Sequence, residues 1–254
     1  MRAKTNLVST LLSTFFFASI FEVNAADDDI TVASMEIPYA YTETGDGVYN
    51  TVFKKLTEGY KGDVTVSFMP SARFNRLVTN REVDCDFIGT EKIERWEKDG
   101  ISPDELEFIG PIRELFVTVY VPTGGKVPHT IEDLKTMRLA SDVNLVHTVR
   151  RYGLKESFAL QSQVQMLNLL SIARIEALVG YDFDLDTLAP RLGVTDKIVK
   201  TDIKLDKLVD GVVCFKNEKT APFRAHLRNK LKEITENGWL DAEFEKFFAS
   251  QSQQ

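Results

Sequence analysis

The chain has little of what several large protein classes require. Two cysteines and three histidines in 254 residues exclude a disulfide-dense scaffold and argue against a zinc site built from Cys and His. The histidines, His129, His147 and His226, lie far apart with no ligand spacing. Basic residues are not in excess: a net charge of −7 argues against nucleic acid, which demands a basic face, and against an anionic membrane surface. Beyond the N-terminus no apolar run is long enough to span a bilayer. There is no Gly-rich phosphate loop and no nucleophile elbow, and Ser71 and Ser141 have no identifiable base, so catalysis is poorly supported. No Pro- or Ser-rich linker divides the chain, so any two lobes must be joined by strands.

What is present begins with a targeting segment. Arg2 and Lys4 form a basic start, residues 7–21 are apolar and interrupted only by Ser and Thr, and Val23-Asn-Ala25 places small residues where signal peptidase cuts. Residues 1–25 read as a secretory signal peptide. The alternative, a short membrane anchor, fits poorly with the acidic residues that follow. No cysteine follows the cleavage point, so no lipid anchor is expected there. Loss of Arg2, Lys4 and Glu22 takes the net charge from −7 to −8. Export gives Cys85 and Cys214 a compartment in which they can pair. The other reading is that each fills a small core position on a strand.

Two segments share one grammar. Residues 77–88 and 169–180 each run from a helix end through a β-branched residue and an acid to a small residue and an apolar strand. Asp84 aligns with Glu176, and Cys85 with Ala177. Two such units suggest two α/β lobes with a cleft between them, a common place for a small ligand. Strands are expected at 30–34, 64–69, 85–88, 116–121, 137–141, 177–179, 197–200 and 211–215. Helices are expected at 49–56, 73–79, 91–98, 145–152, 163–170, 221–236 and 240–249, with 250–254 a frayed tail. Thr130 and Asp133 read as a capped helical turn. Strands alternating with helices of about ten residues argue for parallel βαβ units covered on both faces.

Several motifs carry a resemblance: Glu36-Ile-Pro-Tyr39, Arg81-Glu-Val-Asp84, Thr90-Glu-Lys-Ile-Glu-Arg95, Phe108-Ile-Gly-Pro111, Ile131-Glu-Asp-Leu-Lys135, Arg174-Ile-Glu-Ala177 and the Gly238-Trp-Leu region. In this order the chain resembles the extracytoplasmic solute-binding proteins of family 3, which serve polar amino-acid ABC transporters. The resemblance implies an α/β, two-lobe periplasmic-binding-protein-like fold of type II. Each lobe would be a mixed, mostly parallel sheet flanked by helices, joined by two hinge strands. Residues 26–120 with 214–254 would form the first lobe and 121–213 the second. A single sheet with no gap between residues before and after Pro122 would overturn this picture.

The resemblance also implies site residues. Thr90 and Arg95 stand where such proteins place a Thr and an Arg, the Arg gripping a ligand carboxylate with its planar fork; a surface role is the alternative for Arg95. Lys92 departs from the motif, which has a second Thr there. Arg73 follows the second strand and either joins the site or pairs with a local acid. Tyr39 and Tyr41 stand where an aromatic covers the ligand, or else form a core lid. Asn144 reads as the N-cap of the helix expected from Leu145, whose free N–H groups suit an anion. Asp182 is close to the acid that amino-acid binders keep for an ammonium group, although Tyr181 occupies the matching slot. Asp182, Asp184 and Asp186 together read as partners of a helix N-terminus before they read as a metal cluster.

The expectation is a periplasmic solute-binding protein, not an enzyme, that captures a small polar, carboxylate-bearing solute for a membrane permease. A sensor presenting its closed form to a receptor is the alternative, and a dehydratase on the same scaffold a third reading. No cofactor or metal is implied, the chain is expected to be a monomer, and its partners are a small ligand and a membrane protein.

Overall fold

The structure, a computed structural model, describes residues 29–251. The expected signal segment and the last three residues lie outside the described residues. Strands β1 (Ile30–Ser34), β2 (Val64–Phe68) and β3 (Cys85–Thr90) alternate with helices α1 (Val48–Thr57) and α2 (Ser71–Thr79). The long strand β4 (Leu106–Pro122) leads into α3 (Ile131–Leu134), β5 (Leu139–Asp142), α4 (Val146–Arg151), β6 (Glu156–Leu160), α5 (Gln163–Ser171), β7 (Ala177–Tyr181) and α6 (Asp182–Arg191). A second long strand, β8 (Ile198–Phe215), returns, and α7 (Ala221–Glu236) and α8 (Trp239–Gln251) follow.

Among the described residues the strands run in the order β2-β1-β3-β8-β4-β7-β5-β6. The order reads the same way from both edges. β1 pairs in parallel with β2 and β3, and β5 in parallel with β6 and β7. β3 then pairs antiparallel with β8, and β7 antiparallel with β4. Among the described residues the two halves of the sheet are joined only through β4 and β8, which run antiparallel along each other. The hydrogen-bonded sheet is therefore continuous, yet a gap separates the halves, because only these two strands cross and a cavity lies between. The first-half ladder reaches Thr90↔Asp210, and β4 joins the second half from Val117 to Tyr120. We propose that the crossings lie near residues 110–116 and 206–210, earlier than the boundaries at 120 and 213 read from sequence.

Helices on both faces bury the parallel strands, so most positions of β1, β3 and β7 are buried. One apolar core runs from α1, α7 and α8 beneath β4 into the second half, a second lies under α5 and α6, and a third under α2 around Phe74, Trp96 and Ile101. On β4, the Arg113 guanidinium lies about 5 Å from the rings of Phe183, Phe244 and Phe248, so one side chain docks α6 and α8 on the crossing.

Several expectations are corrected. The helix at 91–98 is a 3-10 turn over Ile93–Asp99, cut short by Gly100 in the left-handed region; so brief a segment gains little from regular α-helical bonding. The strands at 197–200 and 211–215 are parts of one. Charged residues disguise the middle of β8, where Thr201, Ile203 and Leu205 nevertheless alternate inward. β4 extends ten residues upstream of Phe116, and a register shift between Ile109 and Arg113 accommodates Pro111, which has no N–H to give. β6 was unanticipated. It is an edge strand with no buried residue and carries no apolar alternation. The Thr130–Asp133 capping box is present. Cys85 and Cys214 face each other across β3 and β8 and are joined as a disulfide.

Candidate functional site

A cavity of about 720 Å³ lies between the halves. Its walls are carboxyl ends of parallel strands: Ser34 and Met35 after β1, Phe68 to Ser71 after β2, Ile88 and Thr90 on β3, Asp142 to Asn144 after β5, Gln161 to Val164 after β6, and Tyr181 with Asp184 after β7. Ligands of open α/β sheets gather at such ends, where loops and helix starts leave backbone groups unpaired. Six strands, three from each half, therefore converge on one space.

Local structure aims the first wall. Ile88 has φ 69°, a conformation rarely accepted by a β-branched residue. The β3–β8 register shifts at the same place, between Phe87 and Gly89. Gly89 is required there, since a Cβ would fall 2.6 Å from the Asp86 carboxylate and 2.7 Å from the Val213 side chain. Beyond this bulge Thr90 enters the cavity lining with its Oγ1 buried and without a partner. Arg95 follows on the 3-10 turn, its guanidinium 5.1 Å from the Trp96 ring and Nη2 3.9 Å from Asp86 Oδ2. Asp86 is only 8 % exposed and accepts no hydrogen bond among the described residues. Burial pushes its carboxyl up to about 7, against the pull of Arg95.

The second wall is also acidic. Asp184 receives a 2.6 Å hydrogen bond from Gln163 Nε2, and burial pushes it to about 7. Asp142 accepts the Asn144 backbone N–H at 2.8 Å and is pushed by burial to about 6. At the base of the cavity Asp210 accepts from the Tyr49 hydroxyl and from the Arg113 N–H, and burial raises it to about 7. Burial also raises the Tyr181 phenol, with Asp142 adding to the effect. At the rim, Lys98 Nζ and His147 Nε2 approach to 3.5 Å across the two walls. Lys92, the departure from the expected motif, is bound 2.5 Å from Asp206, which also holds Arg151 at 2.9 Å.

Of the expected site residues, Thr90, Arg95 and Asn144 line the cavity. Asn144 is not the helix cap: Asp142 caps a 3-10 turn, Val143–Leu145, that precedes α4. Tyr41 is buried in the first-half core, its ring edge-on to Phe87 at 5.1 Å. It forms a bridge with Ile37, and that turn draws it inward. Tyr39 is left exposed at φ 63° with the Arg191 guanidinium 5.2 Å from its ring, outside the cavity lining. Arg73 is exposed on α2, because Phe74 and Val78 form the face that helix buries. Asp182 accepts the Phe116 and Phe183 N–H groups at 2.8 and 2.9 Å and serves the crossing instead of the cavity. Asp186 turns the same way, to Tyr120 and Lys200. Two residues along a helix is about 200° of rotation, so Asp184 faces the opposite side, into the cavity.

Sequence reasoning missed Asp86, Asp142 and Gln163 as lining residues. The available signal was a charge inside or at the carboxyl end of an apolar strand. The described residues contain no group of three His, Cys, Asp or Glu placed to hold a metal ion, and no helix among them is long and apolar enough to cross a membrane.

No protein-family model matches the chain, and no curated protein matches it. Solved structures do. The GluR0 ligand-binding core of Nostoc punctiforme, in complex with L-glutamate, is 16 % identical, with a TM-score of 0.72 over 86 % of this chain and 99 % of its own. A histidine kinase sensor domain similar to periplasmic binding proteins is 14 % identical, with a TM-score of 0.70 over 86 % and 95 %. An amino-acid ABC-transporter substrate-binding protein, AbpA of Streptococcus pneumoniae, bound to L-arginine, is 13 % identical, with a TM-score of 0.70 over 88 % and 96 %. The chain has the type II, two-lobe periplasmic-binding-protein fold that the sequence resemblance implied.

Proposed function

We propose that this chain is an exported solute-binding protein of the periplasm that takes a small polar solute into the cleft and delivers it to a membrane permease. The observation that carries the reading is the convergence of six strand ends, three from each half, on one cavity of about 720 Å³, a volume suited to a small molecule. Binding on both walls favours the closed arrangement, since a solute that touches both halves has more to gain when they shut. Thr90 and Arg95 on the first wall and Asn144, Tyr181 and Asp184 on the second are the groups that would touch it. Arg95 is the group through which a solute carboxylate would be held. The disulfide between Cys85 and Cys214 agrees with an oxidising compartment.

Melting the chain without residues 1–25 against amino acids, amines and dicarboxylates tests the reading. A true ligand raises the melting temperature in proportion to the logarithm of its excess over Kd; Thr90→Val reduces the rise, and Arg95→Ala reduces it for a ligand that carries a carboxylate. A library that leaves the melting temperature unmoved at millimolar concentration removes the proposal.

A sensing role is the second reading, favoured by the likeness to a histidine kinase sensor domain and to a receptor's ligand-binding core. Co-purification from membranes in the presence of ligand separates the two: a permease on one account, a receptor on the other. A dehydratase activity is the weakest reading, and mixing the protein with cyclic acids and following turnover decides it.

A further inference from the structure

We infer that the cleft selects an organic cation carrying at least two separated amino or guanidinium groups, seated on Asp86 and Asp184, and that a carboxylate on the solute is dispensable. This rests on the solute-binding reading and adds the chemical class of the solute.

Charge in the cleft favours a cation. Seven carboxylate residues line the cavity against two permanent cations, Arg95 and Lys98. Neither cation is unengaged: Arg95 lies beside Asp86, and Lys98 reaches His147. Arg73, which would have added a cation, lies outside the lining. An anionic solute would thus meet a lining of carboxyl groups with no free cation to hold it, whereas a cation would find acceptors that it can draw into their charged form.

Unmet bonding in the walls favours a donor. Asp86 is more than nine-tenths buried, lines the cavity and accepts no hydrogen bond among the described residues. Thr90 Oγ1, buried on the same wall, has no partner among the described residues. On the opposite wall Asp184 has the Gln163 amide as its partner, while Gln163 Oε1 is buried and unpaired. Buried carboxylates strained towards neutrality regain their charge when a donor cation arrives, so an ammonium or guanidinium group gains more here than in water. Oxygen acceptors thus await donors on both walls.

The placement of the acids on opposite walls favours more than one cationic group. These acids do not converge: no group of three among the described residues could hold a metal ion. A single metal would leave most of the negative charge unmet. A chain with cationic groups at two points meets it on both walls, and Tyr181 and Phe183 add aromatic surface to the lining.

Agmatine, which is arginine without its carboxylate, gives the decisive comparison. Titration calorimetry of the chain without residues 1–25, at neutral pH, should find agmatine binding within about tenfold of arginine, putrescine binding measurably, and glutamate and succinate not binding. Asp184→Asn should weaken agmatine by at least about tenfold without lowering the melting temperature of the unliganded protein, because it removes a buried acid and keeps the amide contact. Asp86→Asn should weaken agmatine and release Arg95, so that glutamate binding appears. Arginine binding without agmatine, or glutamate binding the parent protein without either amine, overturns the inference and leaves the solute-binding reading intact. Silence from all five compounds overturns the inference, and the solute-binding reading falls only if the wider library is silent as well.

Discussion

Residues 77–88 in the first lobe and 169–180 in the second fold alike and are fastened differently. Each helix ends in the same pair of bonds, Arg81 N–H to Val78 and Glu82 N–H to Leu77 in one, Ala173 N–H to Leu170 and Arg174 N–H to Leu169 in the other. This is the Schellman pattern, and in both places the left-handed residue is not glycine: Arg81 has φ 58° and Ala173 φ 54°. Each acid then ties its strand to the start of a neighbour. Asp84 accepts the Thr31 N–H at 2.8 Å, and Glu176 the Arg138 N–H at 2.7 Å.

Beyond that the halves diverge. Asp84 is 8 % exposed and also holds Lys219 Nζ at 2.8 Å, which draws in the loop before α7. Glu176 is exposed, with the Arg138 guanidinium 3.5 Å away. Next to Asp84, Cys85 is bonded to Cys214 across 129 residues of chain, whereas Ala177 pairs with nothing covalent. The same local code is therefore buried and stapled where the chain must close on itself, and left in solvent where consecutive elements already adjoin.

The largest test of this contrast is the covalent one. Replacing both cysteines by Ala should cost about 2–4 kcal/mol, since a long loop is released in the unfolded chain, as read by urea unfolding. A loss below about 1 kcal/mol would show that the first lobe does not depend on its staple. Next, Asp84→Ala should cost about 2–3 kcal/mol by stranding the Thr31 N–H and Lys219, and Glu176→Ala roughly half of that or less; equal losses would erase the distinction between the lobes.

The cleft walls offer a test that touches both halves. Asp86 and Asp210 from one side and Asp184 from the other are raised by burial to about 7, above an unfolded value of about 3.9. Between about pH 4 and pH 7 the folded state holds more protons than the unfolded chain, so stability falls as pH rises. The unliganded protein should melt about 2–5 °C higher at pH 5 than at pH 8, and Asp86→Asn or Asp184→Asn should each flatten the slope. A slope of opposite sign would mean that these acids are solvated. The smallest effect is expected at the helix ends. Ala173→Gly should stabilise by about 0.5–1 kcal/mol by accepting the positive φ. Arg81→Gly should gain less, because it gives up the bonds from Arg81 to Glu105 at 2.9 Å.

Most of the elements and the duplication were legible because both depend on neighbours in sequence: apolar alternation for β2, capping chemistry at Thr130, and the left-handed stop at Gly153. β6 was illegible because an edge strand with exposed residues need not alternate. The site was only partly legible. Thr90 and Arg95, which a motif singled out, line the cavity, whereas a tight turn sends the Tyr41 ring into the core and leaves Tyr39 exposed outside the lining. Asp182 drew attention by its position in the chain, yet the rotation of α6 gave the cleft to Asp184.

By itself the sequence determined the α/β alternation, the paired lobes and the ends of most helices, since periodicity, caps and turn residues act over a few neighbours. Only the tertiary structure decided which acids face the cleft, that β8 is one strand, and that Cys85 meets Cys214. Those outcomes depend on helix rotation and on register between segments more than a hundred residues apart, where burial and charge are settled by what the fold brings alongside and not by what lies adjacent in the chain.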